Sequence, residues 1–402
     1  MSQTTIGIAL AGGGPLGAIY EIGALVALDE ALAGKKLTDC DIYLGVSSGG
    51  FLAAGLANGI TPQDMYRMFI ASESASDLFE PEILLRPALK EYQGRLTSLP
   101  ALFTSGIRDY LDPSQSRGFF EAFQRLAKSI PTGLFDNTGI CQLLTNLFDA
   151  PGRTNDFRSL EHKLFLIATD LDSCEAVAFG SDGWDDVPIA LAVQASAALP
   201  GLYPPVEIRG RHFVDGALVK TLHASVALEE GARLLLCVNP IVPYDSRLAA
   251  EREGGPNPSL VEGGLAMVLS QTFRSIIHSR LHVTMSRYGK EFPDSDVVLF
   301  EPCGGDEKIF FTNVFSYADR DRLSEIGFQT TRSDILHRYD AIAPVFARHG
   351  LEIERERLAD KDRTLVQAVS DGKHNGLHSI GQITTQLGET LDRLERLLGS
   401  QS

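Results

Sequence analysis

The chain has 402 residues, is 44% hydrophobic and 22% charged, and carries a formal net charge of −16, enough chain for one large domain with an appendage or for two domains. The acidic balance, with a pI of about 5.0, argues against nucleic acid and against electrostatic docking on anionic lipid, since both reward clustered Lys and Arg. Any membrane contact must therefore rest on local apolar surface.

Ile6 to Ala11 is an apolar run that ends in glycines and reads as a buried strand. It lacks the positive n-region of a signal peptide, and no run reaches the apolar length of a transmembrane helix. A helix follows, with Pro15 in its first turn and Ile22, Leu25, Val26 and Leu32 on a stripe. Asp41 to Leu44 is a second strand. It ends at Gly45-Val-Ser-Ser-Gly49, and a helix of small residues follows from Phe51. This alternation opens a parallel α/β sheet.

Residues 71–160 read as a helical, loop-rich insert. Its apolar part near 71–130 suits either a lid in contact with lipid or helices that cover the sheet edge. Strands are expected again at Leu164–Ala168, Ala176–Phe179, His212–Asp215, Leu234–Val238 and Asp296–Phe300, with an alanine-rich helix over Pro188–Ala198. Arg247 to Pro258 is expected to be a mobile loop. Leu260 to Tyr288 reads as a long helix whose Met267, Phe273 and Ile277 either line an acyl channel or pack in a core. Cys303-Gly-Gly-Asp306 marks a boundary between a catalytic part, 1–303, and a charged helical region, 304–402. Within that region Leu377–Leu398 approaches a heptad seam, which fits a helix packed on its own domain or a homodimer through the C-terminal helix. The five cysteines are widely spaced with no CxxC. Neither a disulfide framework nor a zinc knuckle is expected of them, and reduced thiols suit a cytoplasm; the expected location is cytoplasmic, with room for transient contact at a membrane surface.

Three elements carry chemistry. Gly45-Val46-Ser47-Ser48-Gly49 fits G-x-S-x-G, in which small flanking residues allow a serine to sit on a sharp strand-to-helix turn. The following helix aims its positive dipole end at Ser47. Gly12-Gly13-Gly14 can point backbone N–H groups into a cavity, as an oxyanion requires. The same run satisfies G-x-G-x-x-G, the dinucleotide fingerprint of an oxidoreductase. That fingerprint expects an acid at the end of the next strand, whereas Asp39 and Asp41 stand at its start. Third, Asp215-Gly216 lies at a strand end, where a carboxylate can turn into a cleft or form a plain turn. His223, His278 or His282 could follow Asp215 in a Ser, acid, His order. No ligand cluster suggests a metal, and no cofactor is expected.

Together these motifs resemble the patatin-like phospholipase family. Ala195-Ser-Ala-Ala-Leu-Pro200 with Tyr203-Pro-Pro-Val206, Ala168-Thr-Asp-Leu171 and Gly133-Leu-Phe-Asp-Asn-Thr138 extend the likeness over about residues 5–302. The resemblance implies a three-layer α/β fold with a mostly parallel sheet, here with a C-terminal helical extension. It implies hydrolysis of lipid carboxylic esters by a Ser47–Asp215 dyad, with oxyanion donors on Gly12, Gly13 and Gly14 and with Gly45 and Gly49 shaping the turn. The family often carries a basic residue where this chain has Leu16, and often continues toward Asn-x-Pro where this chain reads Lys220-Thr-Leu-His223. A lipid-binding scaffold on the same fold is the alternative function. The dyad makes a physical demand: an exposed Asp, with a pKa of about 3.9, is too acidic to be an efficient base. Asp215 must therefore be buried beside Ser47.

Overall fold

The computed structural model describes residues 4–71, 132–253, 260–304 and 317–371. The expected lid from residue 72 on and the heptad seam lie outside them. In chain order the elements are β1 (Ile6–Leu10), α1 (Gly14–Ala31), β2 (Leu32–Ala33), β3 (Ile42–Val46), α2 (Ser48–Ala57) and α3 (Pro62–Phe69). Next come α4 (Thr138–Phe148), β4 (Lys163–Asp170), β5 (Ala176–Phe179), α5 (Ile189–Ser196), β6 (Val206–Ile208) and β7 (Arg211–Asp215). Then follow α6 (Ser225–Glu229), β8 (Leu234–Val238), α7 (Ser246–Glu253), α8 (Gly264–Glu291) and β9 (Asp296–Phe300). The remainder is α9 (Tyr317–His337), α10 (Tyr339–Arg348), β10 (Glu352–Ile353), α11 (Arg355–Ala359) and α12 (Leu365–Asp371).

The main sheet has the order β6-β7-β4-β3-β1-β8-β9, with β5 also paired to β4. The run β4-β3-β1-β8-β9 is parallel throughout, while β5, β6 and β7 are antiparallel to their neighbours. Successive side chains of the parallel strands divide between two cores. Ile8, Leu10, Tyr43, Leu166 and Leu236 enter the larger one with α1, α2 and α9. Ala9, Ile42, Leu44, Ile167 and Leu235 enter the other with Leu281 and Tyr288 of α8. Because both faces are covered, the strands read as continuous apolar runs rather than alternating ones. The fold is the expected three-layer α/β sandwich.

Helix α1 is buried along nearly its whole length. It lies between the sheet and α9, and the two helices approach through glycine. A Cβ on Gly23 would land on the Ser324 carbonyl, and one on Gly327 would land on the Tyr20 carbonyl. Glu30 of α1 receives the guanidinium of Arg332 at 3.4 Å and Arg363 Nε at 2.8 Å, and β10 pairs with β2. Phe328 and Phe346 belong to the same apolar core as α1. The expected loop from Arg247 to Pro258 is corrected over its first part. Asp245 Oδ1 accepts the Arg247 N–H at 2.9 Å and starts α7, which Ala249, Ala250 and Glu251 favour by propensity.

Candidate active site

Strand β3 ends at Val46, and the chain turns at once into α2. Ser47 makes the turn with φ +54° and ψ −124°, a backbone state that costs a non-glycine residue about 1–3 kcal/mol. Its surroundings hold it there. The Ser47 N–H donates to Ser196 Oγ at 2.8 Å, and Ser196 in turn donates to the Ile167 carbonyl at 2.6 Å. Ser196 is completely buried. Gly45 and Gly49 leave the room the turn needs. A Cβ on Gly45 would strike the backbone of Gly49 and Gly50, and one on Gly49 would come within 2.5 Å of the Leu10 and Ala11 carbonyls.

Asp215 reaches Ser47 because two strands share one edge of β4. The last rung between β3 and β4 pairs Val46 with Ile167. The next residue of β4, Ala168, pairs with Asp215, the last residue of β7. Since β5 occupies the opposite edge, β7 takes over where β3 stops, and the two strand ends meet. The Ser47 hydroxyl lies close enough to the Asp215 carboxylate to favour its ionised form, and Asp215 Oδ1 accepts the Ala217 N–H at 2.9 Å. Burial pushes the Asp215 carboxyl up to about 6 despite the Ser47 hydroxyl and the Ala217 amide. The group is 3% exposed, so the desolvation that favours the neutral acid outweighs the polar neighbours that favour the anion.

The glycine loop lies beside this pair. A Cβ on Gly12 would stand 2.8 Å from Ser47 Cβ and 3.5 Å from its Oγ. Gly14 has φ +61° and starts α1. The Gly13 N–H donates to Ser48 Oγ at 2.9 Å, so one of the three expected donors already has a partner. Gly12, Gly13, Gly14, Ser47 and Asp215 all line a cavity of about 760 Å³, within the size range of small-molecule sites. Its walls are mainly apolar, with Phe51, Phe69, Leu144, Leu202 and Ile277 among them, and Arg274 and Arg320 also face it.

The three histidines that could complete a triad are engaged elsewhere. His223 is buried with Nε2 3.3 Å from the Gly216 carbonyl, and burial pushes it down to about 4, which keeps it neutral. His278 and His282 lie side by side near Glu301. Sequence reasoning missed that cluster. The i, i+4 spacing of the two histidines on an expected helix was its signal, but nothing local joins Glu301 to them. Ser196 stood inside a quoted motif, yet its part in holding the turn depends on a bond across 149 positions. The five cysteines are free.

The sequence model of the family described as patatin-like phospholipase matches residues 8–228, more than half of the chain. Among solved structures, VipD from Legionella pneumophila is 17% identical over 82% of this chain and 66% of that one, with a TM-score of 0.38. The type III effector ExoU of Pseudomonas aeruginosa is 16% identical over 83% and 53%, with a TM-score of 0.33. Human GIVD cytosolic phospholipase A2 is 14% identical over 83% and 58%, with a TM-score of 0.29. The chain thus spans about half to two thirds of the length of these structures.

Proposed function

The chain belongs to the patatin-like phospholipase family, and on that premise we propose that it hydrolyses carboxylic esters of lipids with Ser47 as nucleophile and Asp215 as its acid–base partner. The observation that carries the reading is the meeting of these two buried side chains on the wall of one mainly apolar cavity.

In this mechanism the ester carbonyl sits over Ser47 with its acyl chain along the apolar walls. Asp215 takes the Ser47 Oγ proton as Oγ bonds to the carbonyl carbon. The amides of Gly12 and Gly14 and the first amide of α2, that of Ser48, stabilise the oxyanion. The proton held by Asp215 passes to the departing alcohol, leaving an acyl-enzyme. Water then attacks the acyl carbon, gives its proton to Asp215, and the fatty acid leaves as the proton returns to Ser47. A carboxyl near pKa 6 suits both directions of transfer, being ionised at neutral pH yet a far better base than an exposed Asp.

Lipid access is supported by apolar residues exposed on α8, including Leu265, Phe273 and Ile276, of which Phe273 also lines the cavity. Among the described residues no helix is long and apolar enough to cross a membrane. The test is a hydrolysis screen over phospholipids, lysophospholipids and acylglycerols, with Ser47→Ala and Asp215→Asn as controls. The wild type should release fatty acid from at least one class and both variants should fail. Lipid binding without turnover in the wild type would favour the scaffold reading.

A further inference from the structure

Beside the cavity, on α8, His278 and His282 stand one helical turn apart with their Nε2 atoms 3.0 Å from each other. Glu301, the residue after β9, brings Oε1 to 3.0 Å from His282 Nε2 and 3.7 Å from His278 Nε2. The three ligand atoms lie within 4.8 Å of one another. Hydrogen bonding alone accounts poorly for this triangle. His282 Nε2 carries either one proton or one lone pair yet faces two polar atoms, and two imidazole nitrogens at this distance repel unless a proton or a cation lies between them. A single centre accounts for all three contacts. A point about 2.1 Å from each atom exists just off the plane of the triangle, at the length of a zinc–imidazole or zinc–carboxylate bond.

The carboxylate is also held from behind. Asn239, fully buried after β8, donates from Nδ2 to Glu301 Oε2 at 3.2 Å. The same Asn239 is fixed by both backbone groups of Ile241, with Nδ2 to the carbonyl at 3.0 Å and the amide to Oδ1 at 3.1 Å. One carboxylate oxygen is thus occupied, and the other faces the imidazoles. Such outer support orients a ligand and raises its affinity for a metal.

We infer that His278, His282 and Glu301 bind one divalent transition-metal ion of the zinc type, which fastens α8 to the carboxyl ends of β8 and β9. Two imidazoles and one carboxylate favour zinc and its neighbours over calcium or magnesium, which prefer oxygen ligands. The fourth position of a tetrahedral site is left for water. The location gives the ion a structural consequence. Phe273, Arg274 and Ile277 of α8 line the cavity. Pro240, next to Asn239, packs on the glycine loop, since a Cβ on Gly13 would stand 2.7 Å from Pro240 Cγ. The ion would therefore brace one cavity wall against the strand ends that support that loop.

The test uses the full chain stripped with EDTA and titrated with Co2+, followed by its d–d absorption, with Zn2+ as competitor. One Co2+ per chain should bind with a nitrogen-ligated spectrum and be displaced by Zn2+, and Zn2+ should raise Tm. His282→Ala and Glu301→Gln should each weaken binding at least about tenfold and abolish the Zn2+ effect on Tm. His282 is about half exposed, so its variant should melt like the EDTA-treated wild type when metal is absent. Ser47→Ala should bind the ion as the wild type does, which separates this site from the hydrolytic reading. Absence of a stoichiometric nitrogen-ligated ion, or equal binding by the two ligand variants, would overturn the inference.

Discussion

Asp215→Asn should make the protein inactive and more stable at once. In the wild type the carboxyl titrates near 6 in the folded chain against 3.8 for the free group, because burial disfavours the anion. The native state therefore holds its proton more tightly than the unfolded chain. Between about pH 4 and 6 the native state binds more protons, so stability falls as pH rises through this window and is level above it. The difference of about two pH units corresponds to about 3 kcal/mol at neutral pH. Asparagine removes the buried charge but keeps the contacts: Oδ1 still accepts from Ala217, and Nδ2 can donate to Ser47. Urea unfolding at pH 7 and pH 4 measures the effect. The variant should gain up to about 3 kcal/mol at pH 7, little at pH 4, and should lose about 10²–10⁴-fold in kcat/KM. Wild-type kcat/KM should fall on the acid side with a midpoint near 6, leaving about a tenth of its plateau at pH 5. A variant that is less stable at pH 7, or that keeps near-wild-type turnover, would refute the reasoning.

Other expectations follow from single contacts. Gly12→Ala places a methyl 2.8 Å from Ser47 Cβ and should lower kcat/KM by about 100-fold or more, read in the same ester assay. His223→Gln should leave the midpoint of the acid limb unmoved, because His223 Nε2 lies against the Gly216 carbonyl; a displaced midpoint would make His223 the base. Ser196→Ala strips partners from the buried Ser47 amide and Ile167 carbonyl and should reduce unfolding free energy by about 2 kcal/mol. Gly327→Ala drives a methyl into the Tyr20 carbonyl and should lower stability by about 1–3 kcal/mol by forcing α1 and α9 apart.

The strands of the parallel sheet and the turn at Ser47 were legible because their causes are local. Buried strands need continuous apolar runs, and a turn this tight needs Gly45 and Gly49. Pro15 and the glycines before it marked the start of α1. What lay beyond the sequence depends on assembly. That Asp215 meets Ser47 follows from β4 passing its edge from β3 to β7, which no pattern in either segment encodes. The engagement of the Gly13 amide by Ser48 arises only when β1 and β3 pair. The short strands β2 and β10 owe their existence to each other, and two residues carry no periodicity. The stripe expected on α1 became burial on nearly every side, because α9 covers the face that a surface helix would give to water.

A fluorophosphonate probe, with the adduct located by mass spectrometry, examines the Ser47–Asp215 pair most directly. One equivalent should attach to Ser47 in the wild type, much more slowly in Asp215→Asn, and not at all in Ser47→Ala. Labelling of a different serine, or an unlabelled folded protein, would contradict the assignment of Ser47 as the nucleophile.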